Sequence, residues 1–322
     1  GKFTSPVRPL GQLVDFANLE PGCAIASKSI LFRPLDLAVE APTAAPEKVP
    51  CGSSGGATTK AVVAPGECSA VPKLGSDAAA MTALAGKWKP EAVPSGRTLP
   101  EGLNLYLAER WAPGLLVRPA VDGSMGDHQI VDERVEYEPM LSRIAPGEQC
   151  LDIGGHIGAL TAALAEASLG VHVVTVEPDP DSAAVLRANL QWRGLEERTT
   201  FLEGALRARG DAATTTLFRA PLNSSVNSCV PVDGRDPIEV PVVTVADVVR
   251  ACASPPTVAK VDIEGGEYEV LPPLLAACPE LRLLSLELHL TKRVFQAHLG
   301  PALEELLELF GFRPLDGKRS SR

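Results

Sequence analysis

A glycine-rich turn preceded by an acidic residue carries the strongest chemical signal in the sequence. The members of this turn are Asp152, Gly154, Gly155, His156 and Gly158. The turn lies between an apolar run and a segment of helical periodicity, so the backbone can approach a nucleotide-like ligand at the carboxyl edge of a sheet. Nineteen residues after Gly158, a second apolar run ends at Glu177 and Pro178. A carboxylate at that place can accept hydrogen bonds from both ribose hydroxyls, so the spacing predicts a nucleoside-binding site.

Two cofactor classes compete for this site, and the acidic residue discriminates between them. A dinucleotide site uses G-x-G-x-x-G and places a pyrophosphate on the helix N-terminus, whereas this turn has the spacing Asp-x-Gly-x-x-x-Gly. We expect Asp152 to point into the crevice, where its carboxylate repels a pyrophosphate and attracts an ammonium group. S-adenosylmethionine has an ammonium, a sulfonium and a ribose but no phosphate, so it is favoured over NAD. In the competing structural interpretation, the turn only packs helix on strand and Asp152 caps the helix.

A second group of acidic residues follows a later apolar run. Lys260, Asp262 and Glu264 alternate along a predicted strand, so their side chains share one face. At the carboxyl end of a strand, two converging carboxylates can remove a proton from a hydroxyl group or hold a divalent cation. In the alternative interpretation, Glu264 to Glu267 start a helix and lie near its dipole. No metal site is assigned, and a divalent cation is considered but not favoured.

Three further residues and one insert are candidates for the same sites. His289 follows a strand that ends near Glu287 and is either a general base or a structural histidine. Ala205 and Leu206 follow the third strand, where we expect them to pack an adenine; an ordinary turn is the alternative. The insert at 210–237 is rich in Thr, Asn, Ser and Asp and is long enough for a hairpin or lid over an acceptor. We expect this insert to carry substrate specificity.

The elements that must position these residues alternate regularly between strand and helix. The predicted strands are 150–153, 171–176, 199–202, 240–245, 258–263 and 283–288. The predicted helices are 158–167, 181–193, 268–277 and the amphipathic segment 303–310. Strands that alternate with helices of this length indicate a parallel sheet with right-handed crossovers. The predicted fold class is therefore α/β, a doubly wound Rossmann-like sheet with six clear strands.

Several segments together resemble a known family. Residues 150–160 and 174–178 are similar to motif I and the following acidic motif of class I S-adenosylmethionine-dependent methyltransferases. Residues 135–147, 258–271 and 284–290 resemble three segments of the FkbM family within that class. The resemblance covers about residues 135–316.

The resemblance implies S-adenosylmethionine as methyl donor, a site lined by Asp262 and Glu264, and an approach of Glu138 to the ammonium group of the donor. Two features depart from the family. His156 stands where the family often has Asn. The family's sheet usually closes with a seventh strand after the strand that begins near Phe312. Few residues follow that point here, so the seventh strand is expected to be missing.

Charge and proline content divide the sequence at about residue 100. Residues 1–100 contain 12 of the 29 prolines and have a net charge of +2, whereas residues 101–322 have a net charge of −12. The first part is rich in Pro, Ala and Gly without a sustained apolar period, so we expect a partly disordered N-terminal extension or linker. It resembles the remnant of an organelle transit peptide, although its eight acidic residues argue against one. The second part is expected to be the methyltransferase domain.

The composition also excludes several classes of protein. The net charge of −10, without a block of Lys or Arg, argues against nucleic acid as the partner. No run of 18 apolar residues exists, so no membrane span is predicted. Seven cysteines in 322 residues exclude a disulfide scaffold. We expect a soluble cytoplasmic or organellar protein, and the sequence determines neither the compartment nor the oligomeric state.

The resulting prediction is an S-adenosylmethionine-dependent O-methyltransferase of the FkbM type, which acts on a hydroxyl of a small molecule, sugar or glycan. Asp152 and Glu177 would hold the donor, and Asp262, Glu264 or His289 would take the acceptor proton. The alternatives are an NAD-dependent oxidoreductase and a methyltransferase-like binding module without catalysis. Methylation of nitrogen instead of oxygen also stays open.

Overall fold

A seven-stranded sheet forms the centre of the part of the chain that the structure describes. The computed structural model describes residues 25–26, 29–34, 106–108, 114–118, 127, 134–221, 223–232, 234–291 and 305–314. The strands are β1 (Ile25–Ala26), β2 (Ser29–Pro34), β3 (Tyr106–Ala108), β4 (Leu115–Val117), β5 (Gln149–Ile153), β6 (His172–Glu177), β7 (Thr199–Glu203), β8 (Ala205–Arg207), β9 (Thr214–Arg219), β10 (Asp236–Thr244), β11 (Val258–Val261), β12 (Leu283–Glu287), β13 (Leu290–Thr291) and β14 (Phe312–Pro314). The helices are α1 (Arg134–Leu141), α2 (Ala159–Ala167), α3 (Pro180–Arg193), α4 (Val245–Ala251), α5 (Glu267–Ala277) and α6 (305–309). None of the helices in these described ranges combines the length and the apolar character needed to cross a membrane.

The central sheet is parallel over five neighbouring strands. Its order is β14-β2-β12-β11-β5-β6-β7, and the strands from β12 to β7 pair in parallel. Every residue of β5 and β11 is buried, as expected for strands of a parallel sheet whose faces are covered by helices. The predicted α/β class with a doubly wound, Rossmann-like sheet is confirmed.

The antiparallel strand of this sheet comes from the N-terminal part of the chain. β2 pairs antiparallel with β12, where Phe32 lies opposite Leu284, and with β14, where Phe32 lies opposite Pro314. It therefore fills a position between β12 and β14. The seventh strand expected after the strand at Phe312 would fall outside the described residues, and β2, from a distant part of the chain, is the seventh strand of this sheet. The predicted extension at 1–100 thus contributes one strand to the sheet, and most of its other residues lie outside the described ranges.

Apolar residues of the strands alternate between two buried clusters. Leu151 and Ile153 of β5 belong to one cluster together with Leu271 of α5. Cys150 of the same strand belongs to the other cluster together with Leu164 of α2. Successive residues of a strand point to opposite faces of a sheet. The central strands therefore hold helices on both faces, and the carboxyl edge of the sheet stays the place where the loops meet.

Local capping signals set the turn from β6 into α3. The Asp179 side chain caps α3 and accepts a hydrogen bond from the Ser182 backbone N–H at 3.2 Å. Gly194 ends the helix in the left-handed conformation with φ 66°. Because α3 begins directly after the strand, Glu177 and Pro178 are placed at the carboxyl edge of the sheet.

The insert predicted at 210–237 contains an antiparallel hairpin. β9 and β10 pair from Arg219 opposite Asp236 to Thr214 opposite Pro241. β10 also pairs in parallel with β8, and these three strands form a small sheet of their own. The predicted hairpin is confirmed, and the strand predicted at 240–245 lies in this small sheet. The role of the insert in specificity stays a prediction.

Deletion of residues 1–34 should destabilise the domain more than deletion of residues 1–24. The longer deletion removes β2 and leaves the facing edges of β12 and β14 without their hydrogen-bond partners. The shorter deletion keeps β1 and β2 and is the matched control. We expect the longer deletion to lower the midpoint of thermal unfolding, measured by circular dichroism, by about 8 °C or more. Equal midpoints for the two deletions would contradict the pairing of β2.

Candidate active site

The carboxyl ends of β5, β6, β11 and β12 meet at one edge of the sheet, and most of the predicted site residues follow these strands. The glycine loop, residues 154–158, follows β5. The carboxylate–histidine cluster follows β11 and β12 and consists of Asp262, Glu264, Glu267, Glu287 and His289. The two groups lie next to each other because β5 and β11 are neighbouring parallel strands.

Asp152 lies in β5, just before the glycine loop, and is fully buried. Its Oδ2 accepts a hydrogen bond from the Thr161 hydroxyl at 2.6 Å. Its Oδ1 has no hydrogen-bond partner among the described residues and lies 4.0 Å from Lys260 Nζ. Burial raises the pKa of Asp152, although the Lys260 charge opposes this. Asp152 therefore does not point into an open crevice as expected, but one of its oxygens is still able to accept a hydrogen bond.

Glu177 ends β6, and two backbone groups orient its buried carboxylate. Its Oε2 accepts a hydrogen bond from the His156 N–H at 2.8 Å, and its Oε1 accepts one from the Asp179 N–H at 2.9 Å. Burial raises the pKa of Glu177 to about 7. Each carboxylate oxygen keeps a further lone pair, and Pro178 beside it is half-buried. Glu177 can therefore accept additional hydrogen bonds from a ligand.

The glycines of the loop are required by close backbone contacts. Gly154 and Gly155 donate hydrogen bonds to the Val176 carbonyl at 3.0 and 2.9 Å, which ties the loop to β6. Gly154 has φ 89°, and a β-carbon there would lie 1.9 Å from the Asp262 carbonyl oxygen. Gly158 starts α2 with φ 80°. At Gly154 the glycine therefore allows β5 and β11 to approach each other, in addition to any contact with a ligand.

His156 turns from the glycine loop toward the hairpin insert. Its Nε2 lies 2.7 Å from the Ser224 hydroxyl and 3.7 Å from Asp127 Oδ1. Its Nδ1 is buried and has no hydrogen-bond partner among the described residues. Burial lowers the pKa of His156 to about 4, so the ring is neutral at pH 7. The Ser224 contact has no counterpart in the sequence patterns, since the two residues are far apart along the chain.

Three other predicted site residues have different surroundings. Glu138 is exposed on α1. The Ala205 side chain packs with Leu217 and Val240 of the hairpin, and the Leu206 side chain belongs to one of the two large apolar clusters. Contact of these residues with a donor stays a prediction.

Lys260 connects the glycine loop with the acidic residues. Its Nζ donates a hydrogen bond to the Gly154 carbonyl at 2.8 Å and lies 3.0 Å from Asp262 Oδ2. Burial lowers the pKa of Lys260, but the neighbouring acidic groups, led by Asp262, outweigh this effect and raise it. Lys260 was not assigned to the site from the sequence. Its alternation with Asp262 on one strand face was the signal that could have identified it.

The carboxylate–histidine cluster surrounds the buried ring of His289. His289 Nδ1 lies 2.9 Å from Glu267 Oε1. On the other side of the ring, Nε2 lies 3.3 Å from Glu264 Oε1, 3.8 Å from Asp262 Oδ1 and 3.7 Å from Glu287 Oε1. The structure thus brings together the predicted catalytic residues Asp262, Glu264 and His289. It adds Glu267 and Glu287, which share the two sequence segments but were not assigned to the site.

Glu267 is fully buried at the base of this cluster. Its carboxylate accepts hydrogen bonds from the Ile263 N–H at 3.0 Å and the Gly265 N–H at 3.1–3.2 Å, besides its contact with His289. Asp262, Glu267 and His289 each offer an atom within 4.8 Å of the others, a spacing that a metal ion could use. The backbone N–H groups and His289 already use most of the lone pairs of Glu267, and no metal ion is assigned to these three residues.

His289 carries a proton between two carboxylates. Burial lowers the pKa of His289, but the hydrogen bonds and charges of Glu264 and Glu267 outweigh burial and raise it to about 11. The ring is then an imidazolium at neutral pH and has no free lone pair, which does not fit the predicted role of a general base. Burial raises the pKa of Glu264. A carboxylate with a raised pKa suits proton transfer near neutral pH.

The hairpin insert contacts the loop that holds Glu264. Glu264 has φ 53°, a left-handed conformation that costs a residue other than glycine about 1–2 kcal/mol. The Ser228 hydroxyl, in the connection between β9 and β10, donates a hydrogen bond to the Glu264 carbonyl. Val230 of the same connection lies against Gly265, where a β-carbon would be 3.0 Å from Val230 Cγ2. The insert therefore helps to hold a strained backbone at the candidate site.

Comparison with known proteins identified one family and several distant structures. The sequence profile of the Methyltransferase FkbM domain matches residues 152–314, slightly more than half of the 322 residues. The precorrin-6Y C5,15-methyltransferase from Geobacter metallireducens is 17% identical over 53% of this chain and 67% of its own, with a TM-score of 0.31. TYW2 from P. horikoshii, in complex with MeSAdo, is 24% identical over 23% of this chain and 27% of its own, with a TM-score of 0.20.

A third similar structure is the C-terminal domain of the precorrin-6Y C5,15-methyltransferase from Rhodobacter capsulatus. It is 26% identical over 20% of this chain and 35% of its own, with a TM-score of 0.19. The chain thus spans only 27% and 35% of the lengths of the P. horikoshii and R. capsulatus structures. TM-scores this low carry no argument about substrate or activity. Comparison with curated protein sequences found no match.

Substitution of Gly154 by Ala should destabilise the domain far more than substitution of Gly147. Both glycines have positive φ, 89° and 77°, but only the β-carbon at residue 154 would collide with another backbone. Gly147→Ala therefore measures the conformational cost alone, which is about 1–2 kcal/mol. We expect Gly154→Ala to lower the free energy of unfolding, measured with urea, by at least about 2 kcal/mol more. Similar losses for the two variants would show that β5 and β11 do not approach this closely.

Proposed function

The chain belongs to the FkbM methyltransferase family, and we propose that it transfers the methyl group of S-adenosylmethionine to a hydroxyl oxygen of a small molecule, sugar or glycan. The observation that carries this proposal is that two pairs of acidic residues lie at one edge of the sheet in different surroundings. Asp152 and Glu177 lie beside the glycine loop, and Asp262 and Glu264 lie in the carboxylate–histidine cluster. The family match favours a methyltransferase over the NAD-dependent oxidoreductase considered above.

The residues around the glycine loop fit S-adenosylmethionine. Asp152 Oδ1 and His156 Nδ1 are buried polar atoms without a hydrogen-bond partner among the described residues. Leaving such an atom unpaired costs about 1–3 kcal/mol, so a ligand that supplies the missing partner is favoured. Asp152 offers an acceptor for an ammonium group, and Glu177 offers acceptors for the ribose hydroxyls. None of these groups provides a cation for the pyrophosphate that a dinucleotide would bring.

The carboxylate–histidine cluster would hold the acceptor and take the proton of its hydroxyl group. When bound, S-adenosylmethionine would supply a methyl group on a positively charged sulfur. An oxygen nucleophile held in line would attack the methyl carbon, and the carbon–sulfur bond would break to leave S-adenosylhomocysteine. Glu264 would accept the hydroxyl proton, because burial raises its pKa. Lys260 pairs with Asp262 and fixes its carboxylate 3.0 Å away, so Asp262 would orient the hydroxyl through a hydrogen bond. His289, as an imidazolium, would hold Glu264 in place.

The variants Asp262→Asn and Glu264→Gln should keep donor binding and lose methyl transfer. Both changes remove a carboxylate on the acceptor side and leave the glycine loop intact. We expect transfer of a radiolabelled methyl group to a panel of hydroxyl compounds to fall about 100-fold or more. The affinity for S-adenosylmethionine, measured by calorimetry, should stay within about threefold, a change below 1 kcal/mol. Glu239→Gln, an exposed carboxylate on β10, is the matched control.

Two results would contradict the proposal in different ways. A wild-type chain that binds NADH and not S-adenosylmethionine would refute the donor. A wild-type chain that binds S-adenosylmethionine but methylates nothing in the panel would favour the binding module considered above.

Donor affinity should increase with pH up to about 7 because of Glu177. Burial raises the pKa of its carboxyl group to about 7, and only the ionised form can accept hydrogen bonds from both ribose hydroxyls at full strength. We expect the dissociation constant of S-adenosylmethionine to fall up to about tenfold per pH unit below 7 and to level off above it. Glu177→Gln, which does not ionise, should bind weakly at every pH. An unchanged pH profile in this variant would assign the titration to another group.

The raised pKa of Glu177 also affects the folding stability of the ligand-free chain, which should decrease with pH while donor affinity increases. The folded pKa of Glu177 lies above the unfolded value, so its contribution to stability is present at low pH and is lost as the pH rises through about 7. Because donor binding uses the ionised carboxylate, bound donor should offset this loss.

A further inference from the structure

A buried polar network joins the glycine loop to the hairpin insert. Arg118, directly after β4, forms hydrogen bonds with Asp127 through Nε at 3.0 Å and Nη2 at 2.6 Å. The same Nη2 donates to the Ser224 hydroxyl at 2.8 Å and lies 3.2 Å from the Ser182 hydroxyl at the start of α3. Asp127 is fully buried and the Arg118 side chain is 14% exposed. Ser224 therefore receives a charge-assisted hydrogen bond in a place that excludes most water.

His156 contacts the same hydroxyl from the other side. Its Nε2 lies 2.7 Å from Ser224 Oγ, and the ring is buried and neutral. A neutral imidazole has one protonated and one unprotonated nitrogen. Whether Nε2 donates a hydrogen bond to the Ser224 hydroxyl or accepts one from it therefore depends on what Nδ1 contacts. Nδ1 has no partner among the described residues, so a ligand at the glycine loop that bonded to it would select the tautomer.

The connection between β9 and β10 reaches both halves of the site within five residues. Ser224 contacts His156 of the glycine loop, and Ser228 donates a hydrogen bond to the Glu264 carbonyl. An ion pair also connects the hairpin to the start of α3, since Arg219 Nε of β9 lies 3.2 Å from Asp179 Oδ1. The short connection thus bridges the loop proposed to bind the donor and the strained residue proposed to accept the proton.

We propose that His156 is a positioning residue that couples donor binding at the glycine loop to the docking of the hairpin insert over the acceptor side. This inference rests on the proposed function. A donor bound at the glycine loop forms a hydrogen bond with His156 Nδ1 and so fixes the tautomer of the ring. The fixed tautomer strengthens the hydrogen bond between Nε2 and the Ser224 hydroxyl. The docked connection then holds Glu264 through Ser228. Donor and acceptor therefore bind cooperatively, with the donor first preparing the acceptor side.

Hydrogen exchange with S-adenosylhomocysteine as the probe tests this coupling. Exchange of the amides in residues 214–241 is measured by mass spectrometry with and without a saturating concentration of the probe. Coupling between sites typically changes an equilibrium by about 5–150-fold. We expect the probe to slow exchange in the wild-type hairpin about fivefold or more. In Ser224→Ala, the probe should still bind, but its effect on the hairpin should be lost.

Neighbouring serines provide a matched pair of variants. Ser225→Ala is the control, because within the described part of the chain its hydroxyl and N–H form hydrogen bonds with Asn223 Oδ1 in the same turn and with no other residue. This variant should respond to the probe like the wild type. Ser224→Thr, which keeps a hydroxyl, should restore the response. If Ser224→Ala only loosened the hairpin, its amides would exchange faster by the same factor with and without the probe.

The outcomes separate this inference from the proposed function. If the probe binds the wild-type chain and leaves exchange of the hairpin unchanged, the coupling is refuted and the methyltransferase proposal stands. If Ser224→Ala and Ser225→Ala respond alike, Ser224 is not the connection and the inference is equally refuted. If the probe does not bind the wild-type chain, the donor assignment fails and the coupling fails with it.

Discussion

The close approach of two parallel strand ends is the constraint on which the candidate site depends. The Asp262 carbonyl oxygen lies where a β-carbon at residue 154 would be, so the first glycine of the loop lets β11 and β5 meet without a side chain between them. Lys260 then reaches across this junction, with hydrogen bonds or ion pairs to both sides. The glycine loop and the carboxylate–histidine cluster therefore lie side by side, as the proposed transfer of a group between two bound molecules requires.

Buried and partly buried acidic and basic side chains surround the place where the ends of β5 and β11 meet. Among the described residues, six carboxylates lie at or near the edge, in Asp152, in Glu177 and in the four acidic members of the carboxylate–histidine cluster, and the cations Lys260 and protonated His289 lie among them. Each cation faces more than one carboxylate, so the acidic groups outnumber the protein cations that compensate them. A ligand with a positive charge and no phosphate suits such a place better than an anionic one. The surroundings of the carboxylates, more than their number, distinguish those proposed to bind the donor from those proposed to take the acceptor proton.

The hairpin insert contacts residues on both sides of the candidate site. The His156 ring of the glycine loop reaches Ser224 in the insert. The insert also supports the left-handed conformation of Glu264 through Ser228. These contacts connect the insert physically to the residues proposed to bind the donor and to take the acceptor proton.

The sequence by itself determined the α/β class, the glycine loop, the second acidic segment and the hairpin, because each depends on local periodicity or on spacing within one segment. It also placed Lys260 and Asp262 on one strand face, since alternation along a strand is a local property. Only the tertiary structure decided that β2 completes the sheet, that Glu264 and Glu267 keep His289 protonated and that His156 meets Ser224. Such contacts join residues that are far apart in the chain. The carboxylates that make His289 an imidazolium and the burial of Asp152 come about only after the strands have come together.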